Sequence, residues 1–259
     1  AGAIPRAFFL TIGLPARDDA WLAGFTKGMT ELSRQAGCPL LGGDTTRTAK
    51  VGDIHAPVTI SITAMGELPQ SMGLTRSGAR PGDDIWVSGC VGGAWAALMH
   101  RWGKLTLDAR VFPAAALAMD RPNPRNALGT ALLSSATACA DISDGLAQDL
   151  GHILERSGVD ADVLWDAVPK HPALAALSQE QQVEAAMSGG DDYELVFTAP
   201  ADKRGLIEQA SISALTPVTR IGRIVEKKPS GAPLAIRDAS GRPLFLPVQG
   251  FDHFAQSAD

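Results

Sequence analysis

Apolar positions along this chain switch repeatedly between strand-like runs and helix-like stripes. Ala7-Phe8-Phe9-Leu10-Thr11-Ile12 is a nearly continuous apolar run and predicts a buried strand. After Asp18, a capping residue, Trp21, Phe25, Met29 and Leu32 recur on one helical face as far as Ala36, and Gly37 supplies a stop. Cys38-Pro39-Leu40-Leu41 reads as a short strand delivering Gly42-Gly43-Asp44-Thr45-Thr46. Val58, Ile60 and Ile62 alternate with Thr59, Ser61 and Thr63, the pattern of a strand with one face buried. Residues 76–83, Arg-Ser-Gly-Ala-Arg-Pro-Gly-Asp, carry the strongest turn signal in the chain. They predict a boundary between a first domain over 1–80 and a second over 81–259.

The second region alternates strands and helices. A strand is expected over 84–88 and a helix over 93–101, with Trp95, Leu98, Met99 and Trp102 facing inward. A helix over 126–135 and a strand over 138–140 lead to Asp141-Ile142-Ser143-Asp144-Gly145-Leu146. The following helix runs to Ser157, with Leu146, Leu150, Ile153 and Leu154 on its buried stripe and Gly158 as its stop. Strands over 161–168, 193–198 and 218–225, helices over 179–187 and 203–212, and a hairpin over 234–246 turning at Ala239-Ser240-Gly241 complete the pattern. Helices and strands mixed throughout give an α/β or α+β class.

Composition narrows the functional classes. A net charge of −5 over 259 residues disfavours non-specific nucleic-acid binding, which needs a basic surface. No apolar run reaches the ~18 residues of a membrane span, and no charged-then-apolar leader is present. Cys38, Cys90 and Cys139 lie far apart with no CxxC pair. That excludes a disulfide scaffold and a Cys-rich zinc site, and it suits a reducing cytoplasm. The chain opens on Ala1-Gly2-Ala3-Ile4-Pro5, without Met, and enters a strand at once. This raises the expectation that an N-terminal piece is missing and that the first strand lacks sheet neighbours.

Familiar catalytic signatures are absent: no GxxxxGK[ST], HExxH or GxSxG occurs. The five histidines form no ligand spacing, and His152 reads as a solvated helix position. Gly89-Cys90-Val91-Gly92-Gly93 sits between a strand and a helix, but its spacing favours tight packing over phosphate binding. Three other segments share a pattern of carboxylates beside glycine at element junctions. They are Gly42-Gly43-Asp44-Thr45-Thr46, Asp141-Ile142-Ser143-Asp144-Gly145-Leu146 and Gly189-Gly190-Asp191-Asp192-Tyr193-Glu194. Taken singly, each has a plain reading: a turn, a helix cap at Ser143 or Asp144, a solvated bend at Asp191-Asp192. Together they concentrate carboxylates with few cations beside them, an arrangement suited to Mg²⁺ that shares its shell with substrate phosphates.

In these segments the sequence resembles the thiamine-monophosphate kinase family, of the ATP-binding superfamily that includes aminoimidazole ribonucleotide synthetase and selenophosphate synthetase. The resemblance is carried by Gly42-Gly43-Asp44-Thr45, by residues 76–83, and by Asp141-Ile142-Ser143-Asp144-Gly145-Leu146-Ala147-Gln148-Asp149-Leu150. Gly189-Gly190-Asp191-Asp192-Tyr193-Glu194-Leu195 and Gly250-Phe251-Asp252-His253-Phe254 complete it, in the family's order. Asp191 stands where the family usually has Glu.

The resemblance implies an α+β, two-domain synthetase-like architecture of mixed sheets with helices packed on them. It implies phosphorylation of thiamine monophosphate by ATP, with Mg²⁺ and no protein nucleophile. It assigns Asp44, Asp141 and Asp144 to Mg²⁺, Gly43, Asp44, Arg76 and Ser143 to ATP, and Asp192 and Phe251 to the substrate. Arg76 could instead pair with Asp83. A homodimer in the cytoplasm is implied too. The family's acidic GDDAA-type loop is not found in this chain, so the first domain is expected to be truncated, and these residues alone are expected to bind MgATP weakly or not at all and to show no measurable kinase activity. The competing expectations are a non-catalytic remnant that binds nucleotide or dimerises, and another synthetase of the superfamily.

Overall fold

The computed structural model describes residues 1–52, 54–69 and 73–244. Contacts divide the chain into two compact units: Ala3–Met72, and Ala1–Gly2 together with Gly73–Asp259.

The smaller unit contains β1 (Ile4–Leu14), α1 (Asp19–Ala36), β2 (Leu40–Arg47), β3 (Lys50–Val51), β4 (Ile54–His55) and β5 (Thr59–Glu67). β1 lies between a parallel β2 and an antiparallel β5. The opening strand therefore has both its neighbours, contrary to the expectation above, because the chain downstream supplies them. Asp18 caps α1 by accepting from the Trp21 amide, and Gly37 closes it in the left-handed conformation. Trp21 and Phe25 stack at 5.3 Å, as their spacing predicts. No residue of α1 is buried, however, and β5 is exposed along its whole length. The alternation at Val58, Ile60 and Ile62 marks an amphipathic strand correctly, but burial also needs a covering layer.

The larger unit is built on a seven-stranded sheet, in the order β12-β11-β8-β10-β6-β9-β7. Its strands are β6 (Asp84–Ser88), β7 (Ala138–Asp141), β8 (Asp160–Leu164), β9 (Leu195–Ala199), β10 (Val218–Val225), β11 (Leu234–Arg237) and β12 (Pro243–Leu244). Every neighbouring pair is antiparallel except β8 with β11. Its helices are α2 (Gly93–Arg101), α3 (Phe112–Asp120), α4 (Asn126–Ala131), α5 (Leu146–Ser157), α6 (Gln179–Val183) and α7 (Arg204–Ser213). Ile85 and Val87 of β6 enter the core that holds Leu146, Leu150, Ile153 and Leu154 of α5. Trp86, between them in sequence, enters a second core with Phe197, Leu128 and Ile207. The pleat thus makes β6 buried on both faces, which is why Ile85, Trp86 and Val87 are apolar in succession.

Two sequence expectations shift here. The buried face of α2 is made by Ala94, Ala96 and Ala97, while Trp102 is exposed with Lys104 over its ring. Small residues win that face because Gly92 and Gly93 bring the helix start close to Leu174, Ala185 and His171. The predicted helix over 179–187 begins with a Ser178–Gln181 capping box but widens into a π turn over Glu184–Ser188. That turn delivers Gly189 and Gly190.

Candidate active site

Asp141 is the last residue of β7, at the edge of the seven-stranded sheet, and is exposed. The chain then turns through Ile142, Ser143 and Asp144 before α5 begins. Fully buried Ile142 anchors this loop from below. The segment 189–194 is laid directly along it. The Asp191 amide donates to the Ser143 carbonyl at 2.9 Å, the Tyr193 amide to the Ile142 carbonyl at 2.9 Å, and the Ile142 amide to the Glu194 carbonyl at 2.8 Å. A side chain on Gly190 would place its Cβ 2.2 Å from the Ser143 carbonyl oxygen. Gly145, at φ +120°, faces Ser188 in the same way. Two motifs almost fifty residues apart are therefore one interlocked piece of backbone.

The capping reading of Ser143 and Asp144 does not hold. Gly145 occupies the N-cap of α5, with no side-chain cap bond. The turn before the helix is braced from inside it: Oδ2 of buried Asp149 accepts from the amides of Ser143 at 3.0 Å and Asp144 at 3.1 Å. This frees the Asp144 carboxylate, which is half-buried and meets only a long bond from the Gln148 amide at 3.4 Å. Neither Asp141 nor Asp144 has an ion-pair partner among the described residues.

The carboxylates of the 189–194 segment are not alike. Asp191 is exposed, in the left-handed conformation at φ 65°. Asp192 turns inward and accepts from the Gly92 amide at 2.8 Å at the start of α2. Burial pushes its carboxyl up to about 7, against the Gly92 and Ala94 amides and helped by the charges of Glu194 and Asp191. The solvated-bend reading therefore fits Asp191 and fails for Asp192. The glycine-rich stretch before α2 packs closely, as expected, and gives its amide to this carboxylate. Glu194 is buried and held by a bidentate pair with Arg125 and by Ser88 Oγ at 2.5 Å. Its charge is thus neutralised by a cation that the sequence pattern did not reveal.

Arg76 and Asp141 line one cleft of about 370 Å³, with Thr75, Cys139 and Leu195. The alternative pairing of Arg76 with Asp83 is not formed. The Asp83 carboxylate instead accepts from the Arg80 amide at 3.0 Å and the Thr137 hydroxyl at 2.7 Å. In the smaller unit, Gly43 and Asp44 lie within β2 rather than in a turn, opposite Leu10 and Thr11 of β1. A Cβ on Gly43 would sit 1.8 Å from the Leu10 carbonyl oxygen, so the strand pairing itself demands glycine. Phe251 lies outside the described residues.

Family models match both parts of the chain: AIR synthase related protein, N-terminal domain, over residues 1–68, and AIR synthase related protein, C-terminal domain, over 80–233. The chain is 36% identical over 259 residues to the thiamine-monophosphate kinase of Haemophilus influenzae, covering 99% of this chain and 76% of that protein. It is 37% identical over 256 residues to the Escherichia coli K12 enzyme of that name, covering 98% of this chain and 75% of that one. It belongs to the thiamine-monophosphate kinase family. The crystal structure of the kinase from Stenotrophomonas maltophilia K279a superposes with a TM-score of 0.81 at 39% identity, covering 91% of this chain and 72% of that one. AaThiL complexed with AMPPCP and TMP superposes at 0.77 with 25% identity, covering 98% and 75%. The HypE–HypF complex, at 20% identity and a TM-score of 0.78, shares the fold alone. Both the expected α+β architecture and the family resemblance hold.

Within this kinase family member, the sequence pattern displayed Asp149 and Glu194 but not what they touch: the Ser143 and Asp144 amides for the one, Arg125 and Ser88 for the other. Asp149 stood in plain view in the motif around Asp144, five residues on. Arg125 and Ser88 carry no local signal, because only the β6–β9 pairing and the start of α4 bring them to Glu194.

Proposed function

We propose that this protein transfers the γ-phosphoryl group of ATP to the phosphate of thiamine monophosphate, giving thiamine diphosphate and ADP. An oxygen of the acceptor phosphate forms the new P–O bond, and the bond between the γ-phosphorus and the β–γ bridging oxygen breaks. The acceptor is already anionic, so no protein base has to remove a proton. The demands on the protein are alignment and relief of charge repulsion.

The observation that carries this reading is the interlock of the 141–145 loop with the 189–194 segment, which presents Asp141 and Asp144 without cation partners. Their hard oxygen donors on a braced backbone fit Mg²⁺. Asp141 and Asp144 would hold it in the larger unit, and when bound it supplies neutralisation of phosphate charge; Asp44 is assigned to Mg²⁺ by correspondence with the family's motifs. Arg76 offers the cleft a planar guanidinium suited to a phosphate. Gly43, Asp44 and Ser143 are assigned to ATP, Asp192 and Phe251 to the thiamine substrate, by correspondence with the family's motifs. Action in the cytoplasm as a homodimer completes the reading, and the free state of Cys38, Cys90 and Cys139 accords with it. No helix among the described residues is long and apolar enough to cross a membrane.

The test is to incubate the natural protein that carries this sequence with ATP, Mg²⁺ and thiamine monophosphate and follow phosphorus resonances. Equal growth of thiamine diphosphate and ADP is expected. Release of inorganic phosphate without thiamine diphosphate would contradict the proposal.

A further inference from the structure

Asp144, Asp149 and His152 each offer a donor atom, and the three atoms lie within 4.8 Å of one another. Asp149 and His152 are three residues apart on α5 and share a face, while Asp144 stands in the turn before that helix. Asp149 is only 1% exposed. Its Oδ2 is engaged by the Ser143 and Asp144 amides, whereas its Oδ1 is buried with no hydrogen-bond partner. Such an orphaned carboxylate oxygen is costly to bury and calls for a partner.

Among the described residues no ion pair reaches Asp144 or Asp149, so imidazole nitrogen and carboxylate oxygens converge at a point without a cation.

We propose that Asp144, Asp149 and His152 form a binding site for a first-row divalent transition ion such as Zn²⁺, Mn²⁺ or Co²⁺. The mixed nitrogen and oxygen donors select this class over Mg²⁺, which takes oxygen ligands. A tetrahedral ion with bonds of ~2.0–2.2 Å holds its donors roughly 3.3–3.6 Å apart. Small side-chain rotations of half-buried Asp144 and His152 close the difference, while Asp149 stays fixed by its two amide bonds. The remaining coordination position is open to water or an anionic ligand. The site shares Asp144 with the proposed Mg²⁺ ligands, so an ion held here would compete with Mg²⁺, but its occupancy requires neither nucleotide nor Mg²⁺.

The experiment titrates Co²⁺ into the protein without nucleotide or Mg²⁺, following visible d–d absorption and heat. The expected result is one tight equivalent in the unaltered protein, weakened at least about tenfold in His152→Gln and in Asp149→Asn, about 1.4 kcal/mol. The metal-free His152→Gln protein should melt at the same temperature as the unaltered one. If Asp149→Asn does not fold, His152→Gln alone decides. Unchanged Co²⁺ affinity in His152→Gln, absence of binding in the unaltered protein, or a thiolate charge-transfer band placing the ion at a cysteine would each overturn the site.

Discussion

Replacing Arg125 by Met should destabilise the larger unit strongly. The Arg125 and Glu194 side chains are 17% and 7% exposed, so solvent does little to screen their pair. Removing the guanidinium leaves a buried carboxylate with only the Ser88 hydroxyl at 2.5 Å. Breaking a buried pair in this way typically costs ~3–5 kcal/mol. With a urea dependence of ~1–3 kcal/mol per molar, the unfolding midpoint should fall by roughly 1–5 M. Arg125→Met combined with Glu194→Gln removes both charges and should recover more than half of the loss. The assay is urea unfolding of the unaltered protein, Arg125→Met and the double variant. A loss below about 1 kcal/mol, the worth of an exposed pair, or no recovery in the double variant, would refute the burial argument.

Three further outcomes are expected. Asp192 titrates at about 7 in the folded protein, well above the ~3.9 of an unfolded aspartate. Folding therefore holds a proton between those values, and stability falls as pH rises through the window; unfolding curves of Asp192→Asn should lose that slope, and parallel pH profiles would count against the assignment. Gly190→Ala sets a Cβ against the Ser143 carbonyl, where only backbone movement makes room; it should cost ~1–3 kcal/mol and reduce nucleotide binding by calorimetry, whereas normal stability would mean the interlock is loose. Phe251→Ala should raise KM for thiamine monophosphate and leave KM for ATP unchanged, with equal loss of both pointing to a packing role.

What could be read from sequence followed local physics. The stripe of α5, its Gly158 stop and the continuous apolar run of β6 were legible because periodicity and caps are short-range signals. The covering of β5 was not, since alternation reports amphipathicity and not what lies over it. At the site, Asp141 and Asp144 stood out beside glycine, and their motif also exposed the family. The partners of the neighbouring carboxylates did not stand out. Asp192 meets the Gly92 amide because the sheet order places β6 beside β9, and Glu194 meets Arg125 because the start of α4 comes to the same end of the sheet. Asp149 stood within the motif from Asp141 to Leu150, but no local signal shows that it bonds the Ser143 and Asp144 amides.

The central claim is that Asp141 and Asp144 hold the Mg²⁺ that allows two phosphate groups to meet. Its most direct test is the Mg²⁺ dependence of thiamine diphosphate formation by Asp141→Asn and Asp144→Asn in the natural protein that carries this sequence. Gly145 and Asp149 organise the helix start without these carboxylates, so both variants should melt within a few degrees of the unaltered protein. Each should need at least about tenfold more Mg²⁺ for half-maximal rate, a loss of ~1.4 kcal/mol or more in metal binding. Normal turnover of both variants at low Mg²⁺ would contradict the account.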